Sequence, residues 1–531
     1  MKALNKALIA LSVATLVGQK VSAQDNIPKD YLTKEFHAGR REALRKLMPA
    51  NSVAVVFAYP ERVFSNDVNY VYHANPDLYY FSGYKEPDAA LLVFKELQGT
   101  GDTSFNEILY VRKRDPQQEQ WTGRRLGTEG AKTQLGFKRT YNSSEFAKLP
   151  VDLKKFTVFY DNLPDAAGGA LQPMIEAFKV KAGVKTIDKG LKNDLNVVMK
   201  YANPHNLAQI VNYIKPRMQD EAHKSEPLLQ QLSATTDSAT LEGIKAKLKA
   251  QYGASSTFDD YTNTLRGIKQ PEEIALMSKT AQLSAIAHAE VMKAIKPSMS
   301  ERELEGILMY VHKKYGAEDE GYPPIVGVGA NACILHYEEN NETVLNNQLV
   351  LLDVGSEYHG YSADVTRTVP PTGKFTDAQK AIYQVVYDAQ EQVIQMCKAG
   401  VKYGDLEKKT GEVLAAGLIK LGIIADAKEL RTYYPHGVSH HVGLDVHDKG
   451  SYAGNLEEGM VITVEPGIYI PAGSKCDKKW WNIGVRIEDD ILVGKDKFTN
   501  LSADAPRTWQ DVEKMAAQNS IFDGAKFPPL K

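Results

Sequence analysis

Apolar positions along this chain follow two rhythms. Across about residues 31–190, short unbroken apolar runs (NSVAVVFAY, AALLVF, EILYV and FTVFYD) follow one helix-like stretch, EFHAGRREALRKLM. The runs read as strands, and NPD and KEPD read as turns between the elements. Residues 191–265 change character. DLNVVMKYANPHNLAQIVNYIKPRM and ATLEGIKAKLKAQYG are helical in pattern but polar, and SATTDSAT and GASSTFDD read as loops. This stretch predicts a helical insert or connector with no assignable chemistry.

A second set of elements begins near Gln270. Pro271 suits the first turn of a helix over PEEIALMSKTAQLSAIAHAEVMKAI. Thr376 and Gln379 are spaced as a capping box before a helix whose apolar face is Ile382, Val385, Val386, Ala389, Val393 and Met396. KPSMSERELE (Lys296 to Glu305) and KAGVKYGDLE (Lys398 to Glu407) align without gaps, each after a long helix. Strand-like ILHY and HHVGLDVHD follow, one in each half. The pattern predicts an α/β (broadly α+β) protein whose second domain is two related halves, each of helices plus sheet, with a site between them.

Strand pattern and charge conflict at four places. QLVLLDV and YSADVTRTV read as a hairpin around GSEYHG. If the hairpin is symmetric about Tyr358 and His359, Asp353 and Asp364 oppose each other. Opposed carboxylates repel unless a cation turns repulsion into coordination. In GMVITVEPGIYIP, Glu465 shares a strand face with Val461 and Thr463, and in GVRIEDDILV, Arg486, Glu488 and Asp490 share another. Each pair alone also fits a bland reading: two solvated aspartates on an exposed hairpin, and an exposed polar strand face. Together with His440 they amount to four carboxylates and an imidazole beside apolar strands, where unpaired charge is expensive. That set is what a two-metal hydrolytic site requires.

With 531 residues the chain exceeds one ordinary core, so two or more domains are expected. Its net charge of −2 and lack of a polybasic run argue against a nucleic-acid or anionic-membrane partner. Lys2 and Lys6, the apolar ALIALSVATLVG and the small-residue site Val21-Ser22-Ala23 predict a signal peptide over 1–23, cleaved after Ala23. The mature protein is then periplasmic or secreted. The apolar run is short for a membrane span. Cys333, Cys397 and Cys476 are too few and too odd in number for a disulfide framework, although one bridge is open to them.

In that order, Asp353, Asp364, His440, Glu465 and Glu488 resemble the metallopeptidases of the pita-bread fold, among them methionine aminopeptidase, prolidase and Xaa-Pro aminopeptidase (aminopeptidase P). ILHYEEN, HGVSHHVGLDVHD, VEPGIYI and RIEDD fall in the family's order. YYFSGYKEPDAALLVF and WTGRRLG extend the resemblance into the N-terminal domain of Xaa-Pro aminopeptidases, and Ser439 favours them over prolidases. The resemblance implies a pita-bread catalytic domain over 266–510, after an N-terminal domain over 31–190 and the connector, and before a C-terminal tail over 511–531.

It further implies two divalent metal ions. Asp364 and Glu488 would bridge them, with Asp353 on one metal and His440 and Glu465 on the other. Bacterial members favour manganese; zinc, cobalt or iron also suit these donors. His336 and His447 would flank the substrate, Arg486 would support the carboxylates, and His436 and Tyr469 would line the pocket. As isolated residues, His436 and His447 fit packed, hydrogen-bonded histidines better than catalysts; within the full motif set His336 and His447 read as substrate-flanking residues. His441 departs from the apolar residue common beside the ligand and reads as a neighbour of the site or as exposed. The implied reaction is hydrolysis of the bond before proline at position 2 of a peptide, with Glu465 carrying the proton to the leaving nitrogen. Prolidase activity on dipeptides and a non-catalytic peptide-binding module are the alternatives. A dimer or tetramer is implied too, with Trp121 reaching a neighbour's site.

Overall fold

The computed structural model describes residues 30–524 except 162, 165–168 and 185–186. The predicted signal peptide lies outside them. Residues from Thr33 onward form one compact unit. Its first part is built on a five-stranded mixed sheet, in the order Thr140–Asn142, Phe105–Val111, Ala90–Gln98, Ser52–Phe57, Thr157–Tyr160. Ser52–Phe57 is buried along its whole length, as an unbroken apolar run at the centre of a covered sheet should be. The helix Lys34–Leu47 covers it and starts where Thr33 accepts from the Phe36 amide at 3.2 Å.

The connector is helical, with a small core of its own around Leu195, Val198, Ile214, Leu229 and Leu248. GASSTFDD is not a loop, because Ala254–Gly267 is a continuous helix there. Phe258, Thr262 and Leu265 bury one side of it, and that burial outweighs the turn preference of its Ser and Asp residues.

The two later halves are recognisably alike. Helices Pro271–Ala294 and Glu301–Lys314 accompany a three-stranded antiparallel sheet of Ile325–Val328, Val350–Asp353 and Thr366–Val369. Helices Asp377–Ile394 and Tyr403–Lys420 accompany a sheet of Val461–Val464, Asp489–Val493 and Phe498–Asn500. Pro271 opens its helix and Thr376 with Gln379 forms the capping box. Ile382, Val386 and Ala389 are fully buried in a core shared by both halves, with Val385 at its margin, while Val393 is buried in a second cluster within the later half, with Met396 packed against it. Val512, on the helix Trp509–Ala516, joins the shared core.

Three further local expectations differ from the structure. ILHY and HHVGLDVHD are not strands; apart from one bridge between His441 and Ile462 they are turns. Both carry polar side chains towards the site, which ladder pairing would have turned away. The Asp353–Asp364 hairpin also has another register. Asp353 opposes Thr366, and the turn is His359-Gly360, with φ of 53° and 85°. Two positive φ angles fit the two-residue turn whose twist matches the strands. Asp364 therefore lies diagonal to Asp353. Gly355 fills the position across from Asp364, where a Cβ would stand 1.8 Å from the Ala363 carbonyl oxygen.

Among the described residues no helix is long and apolar enough to cross a membrane, and Cys333, Cys397 and Cys476 are free thiols.

Candidate metal centre

Asp353 ends the strand Val350–Asp353, and Asp364 follows the turn strand Tyr361–Ser362. The other half supplies His440, Glu465 just beyond Val461–Val464, and Glu488 in the break between Ile483–Arg486 and Asp489–Val493. The two halves meet here: the Glu488 amide donates to the Thr366 carbonyl at 3.1 Å and the Arg486 amide to Thr368 Oγ1 at 3.2 Å.

All five candidate ligands converge. Ligand atoms of Asp364, His440 and Glu488 lie within 4.8 Å of one another. His440 Nε2 is 3.4 Å from Asp364 Oδ2 and 3.5 Å from Glu465 Oε1. His440 Nδ1 donates to the His441 carbonyl at 3.0 Å, which leaves Nε2 free to ligate. Arg486 Nη2 bonds Asp353, and its Nε is 3.8 Å from Glu488 Oε2. The exposed polar face that Arg486 and Glu488 could have formed is absent: they are 4% and 2% exposed.

The electrostatics show a surplus of negative charge. Burial, with Asp353 and Glu465 adding to it, raises the Asp364 carboxyl well above its ordinary range. Burial and Asp364 do the same to Glu488, and burial with Glu488 pushes Glu465 up to about 8. At Asp353 burial works against the charge, but Arg486 and the Tyr322 hydroxyl outweigh it and hold the carboxyl low. Asp490 Oδ2 accepts from the Asp364 amide at 3.1 Å, while its buried Oδ1 has no hydrogen-bond partner among the described residues. One guanidinium cannot neutralise this set. Clustered oxygen donors with one imidazole fit divalent cations, whose charge would offset the repulsion.

The other predicted residues divide. His447 stands edge-on to His440, ring centroids 4.4 Å apart, and is exposed; His336 is exposed and close enough that its charge acts on His447. His436 Nε2 is 2.8 Å from the Tyr469 hydroxyl, which accepts from Arg486 Nη1 at 2.9 Å. Burial, then Arg486, lowers His436 to about 4, so its ring is neutral. His441 is buried, not exposed; its Nε2 donates to the Ser451 carbonyl at 3.1 Å. Trp121 is 86% exposed on the helix Pro116–Thr122, and the chain does not fold it into this cluster.

Sequence reasoning missed Tyr322. Its hydroxyl is 2.6 Å from Asp353 Oδ1 and 2.7 Å from Asp364 Oδ1. It precedes Pro323-Pro324 in a segment without strand or helix periodicity, so no pattern marks it. Thr366 was also missed; its Oγ1 donates to Glu488 Oε2 at 2.6 Å.

The family model described as metallopeptidase family M24 matches residues 275–495, and that of the aminopeptidase P N-terminal domain matches 37–157. The Xaa-Pro aminopeptidase of Escherichia coli (strain K12) is 32% identical over 498 residues, covering 91% of this chain and 98% of the relative. The chain belongs to metallopeptidase family M24. Human Xaa-Pro aminopeptidase 3 is 31% identical, covering 92% of this chain and 87% of its own. The solved structure of E. coli aminopeptidase P with the inhibitor Pro-Leu superposes with a TM-score of 0.70 at 31% identity, covering 92% of this chain and 98% of that one. A Zn-substituted form of that enzyme, in complex with product, gives 0.69 at 30% identity. The fold of this M24 member is thus that of aminopeptidase P.

Proposed function

We propose that this chain is an Xaa-Pro aminopeptidase: it hydrolyses the bond between the first residue of a peptide and a proline at the second position. One observation carries this reading. All five candidate ligands converge in a chain that matches a named Xaa-Pro aminopeptidase over 98% of that relative's length.

Asp364 and Glu488 would be shared by two divalent cations, with Asp353 completing one shell and His440 and Glu465 the other. The oxygen-rich set supports manganese, and zinc, cobalt or iron fit the same donors. When bound, the cations supply an acidified water and an electrophilic pull on the carbonyl. The chain does the rest. Glu465 receives the proton and delivers it to the leaving nitrogen, which in an Xaa-Pro bond has no hydrogen of its own. His447, with His336 beside it, stands where it can donate to the carbonyl oxygen as negative charge develops there. His436, fixed by Tyr469, walls the pocket for the downstream residues. Arg486 holds Asp353 and Tyr469 in place. The acidic cluster attracts a free α-amine, which favours release of one residue at a time.

The export signal in residues 1–23 supports a periplasmic or secreted enzyme, with Gln24 first after cleavage. The exposed Trp121 supports self-association, as a dimer or tetramer whose partner completes the pocket. The two matched segments fall within the proposed N-terminal (31–190) and catalytic (266–510) domains.

The test is to load the protein with manganese, cobalt or zinc and assay free amino acid from an Xaa-Pro-containing tripeptide and from an Xaa-Pro dipeptide. Tripeptide cleavage is expected. Activity confined to the dipeptide would make the chain a prolidase; no activity with any metal, alongside undetectable metal binding, would make it a peptide-binding module.

A further inference from the structure

Arg266 lies near the end of the connector helix Ala254–Gly267 and is 1% exposed. Its guanidinium gathers three carboxylates from distant parts of the chain. Nη1 donates to Asp77 Oδ1 at 2.8 Å, on the helix Pro76–Ser82 of the N-terminal domain. Nη2 donates to Asp445 Oδ2 at 2.7 Å and also to Asp448. Two lysines reinforce it. Lys269 Nζ donates to Asp448 Oδ2 at 2.6 Å, and Lys449 Nζ to Asp77 Oδ2 at 2.7 Å and Asp259 Oδ1 at 3.0 Å.

The segment they hold is the turn that carries His447. Among the described residues it has no ladder beyond the edge bonds of His440–Val442 to Val461–Thr463, so the shape of the part from Gly443 onward depends on tethers. The Asp448 amide donates to the His441 carbonyl at 2.8 Å, and the Ser362 amide to the Gly443 carbonyl at 2.7 Å. Asp445 and Asp448 pin the turn on either side of His447 to the same nitrogen of Arg266. His447 itself stays exposed, its ring edge-on to His440. Buried charges are expensive and persist where geometry demands them. Here they fix the position of one imidazole.

We propose that Arg266 is a positioning residue for peptide hydrolysis: by clamping Asp445 and Asp448 it sets where His447 stands over the metal centre, and so makes the connector and the N-terminal domain part of the catalytic apparatus. The kinetic side of this inference rests on the Xaa-Pro aminopeptidase reading.

Arg266→Met removes the clamp, Arg266→Lys keeps the charge without the fork, and Asp445→Asn weakens one tether at a side chain 43% exposed. Each is made in the wild-type and His447→Ala backgrounds. In wild type, Arg266→Met and Asp445→Asn should lower kcat roughly 10- to 100-fold, with Arg266→Lys recovering part of the loss. In the His447→Ala background the same changes should cost less than about twofold, because nothing is left to misplace. Equal losses in both backgrounds overturn the proposal. If Arg266→Met does not fold, Asp445→Asn decides the matter.

A second readout is independent of turnover. In the histidine-ring NMR spectrum of the metal-free protein, the His447 signal (assigned by its loss in His447→Ala) should move in Asp445→Asn, while that of the remote His37 stays. An unmoved His447 signal overturns the positioning role. A moved signal in a wild-type protein without peptidase activity faults only the peptidase reading.

Discussion

The Tyr322 hydroxyl offers a sharp test of whether the acidic cluster is built for cations. It lies 2.6 Å from Asp353 Oδ1 and 2.7 Å from Asp364 Oδ1, yet a phenol has a single proton to give. In the metal-free protein Tyr322→Phe removes one hydrogen bond to a buried carboxylate, about 2 kcal/mol. Cations that occupy the carboxylates would take over that stabilisation, so the same substitution should cost little in the loaded protein. The wild type must then surrender about 2 kcal/mol of hydrogen bonding to bind metal, and Tyr322→Phe need not. By linkage, Tyr322→Phe should bind metal about 30-fold more tightly. Denaturant unfolding of both proteins, with and without manganese, measures the stability difference; calorimetric titration measures the affinity. Equal destabilisation in the two states, or unchanged affinity, refutes the reasoning.

Three further outcomes follow from the geometry. Glu465→Gln should lower kcat by about 10²- to 10⁴-fold in steady-state assays, with KM little changed, if the carboxyl carries the proton. His37 is buried, which lowers it from 6.5 to about 4. The unfolded chain therefore takes up a proton that the folded one refuses, so stability should fall by about 3 kcal/mol as pH drops through that interval and level off below it. Denaturant midpoints across pH should show this slope in the wild type and lose it in His37→Gln. Gly355→Ala places a Cβ 1.8 Å from the Ala363 carbonyl oxygen, so the hairpin register cannot persist; the yield of soluble, folded protein should collapse.

Much of the architecture was legible because burial leaves a periodic trace. The strand Ser52–Phe57, the helix capped by Thr376 and the helix opened by Pro271 are each written in neighbouring residues. The convergence of the candidate ligands was legible because charge beside apolar strands is unusual. Register was not. GSEYHG permits more than one turn, and the choice of His359-Gly360 depends on backbone angles that residue types only bias. The segment around His447 looks like a strand because Val442 and Leu444 are buried, and ILHY because of its residue types, although among the described residues neither joins a ladder beyond the edge bonds of His440–Val442 to Val461–Thr463. Tyr322 and Arg266 act through contacts with residues far away in sequence, and pattern carries no trace of such contacts.

The five candidate ligands sit on separate segments between Asp353 and Glu488, drawn from both halves of the catalytic domain. No short stretch of unfolded chain holds the site, so cation capture must follow the docking of one half on the other. If the chain is exported unfolded, it crosses the membrane unable to carry the ions with it. Which metal the enzyme receives is then decided by the supply where folding finishes, and the same sequence folded in a different compartment could acquire a different one.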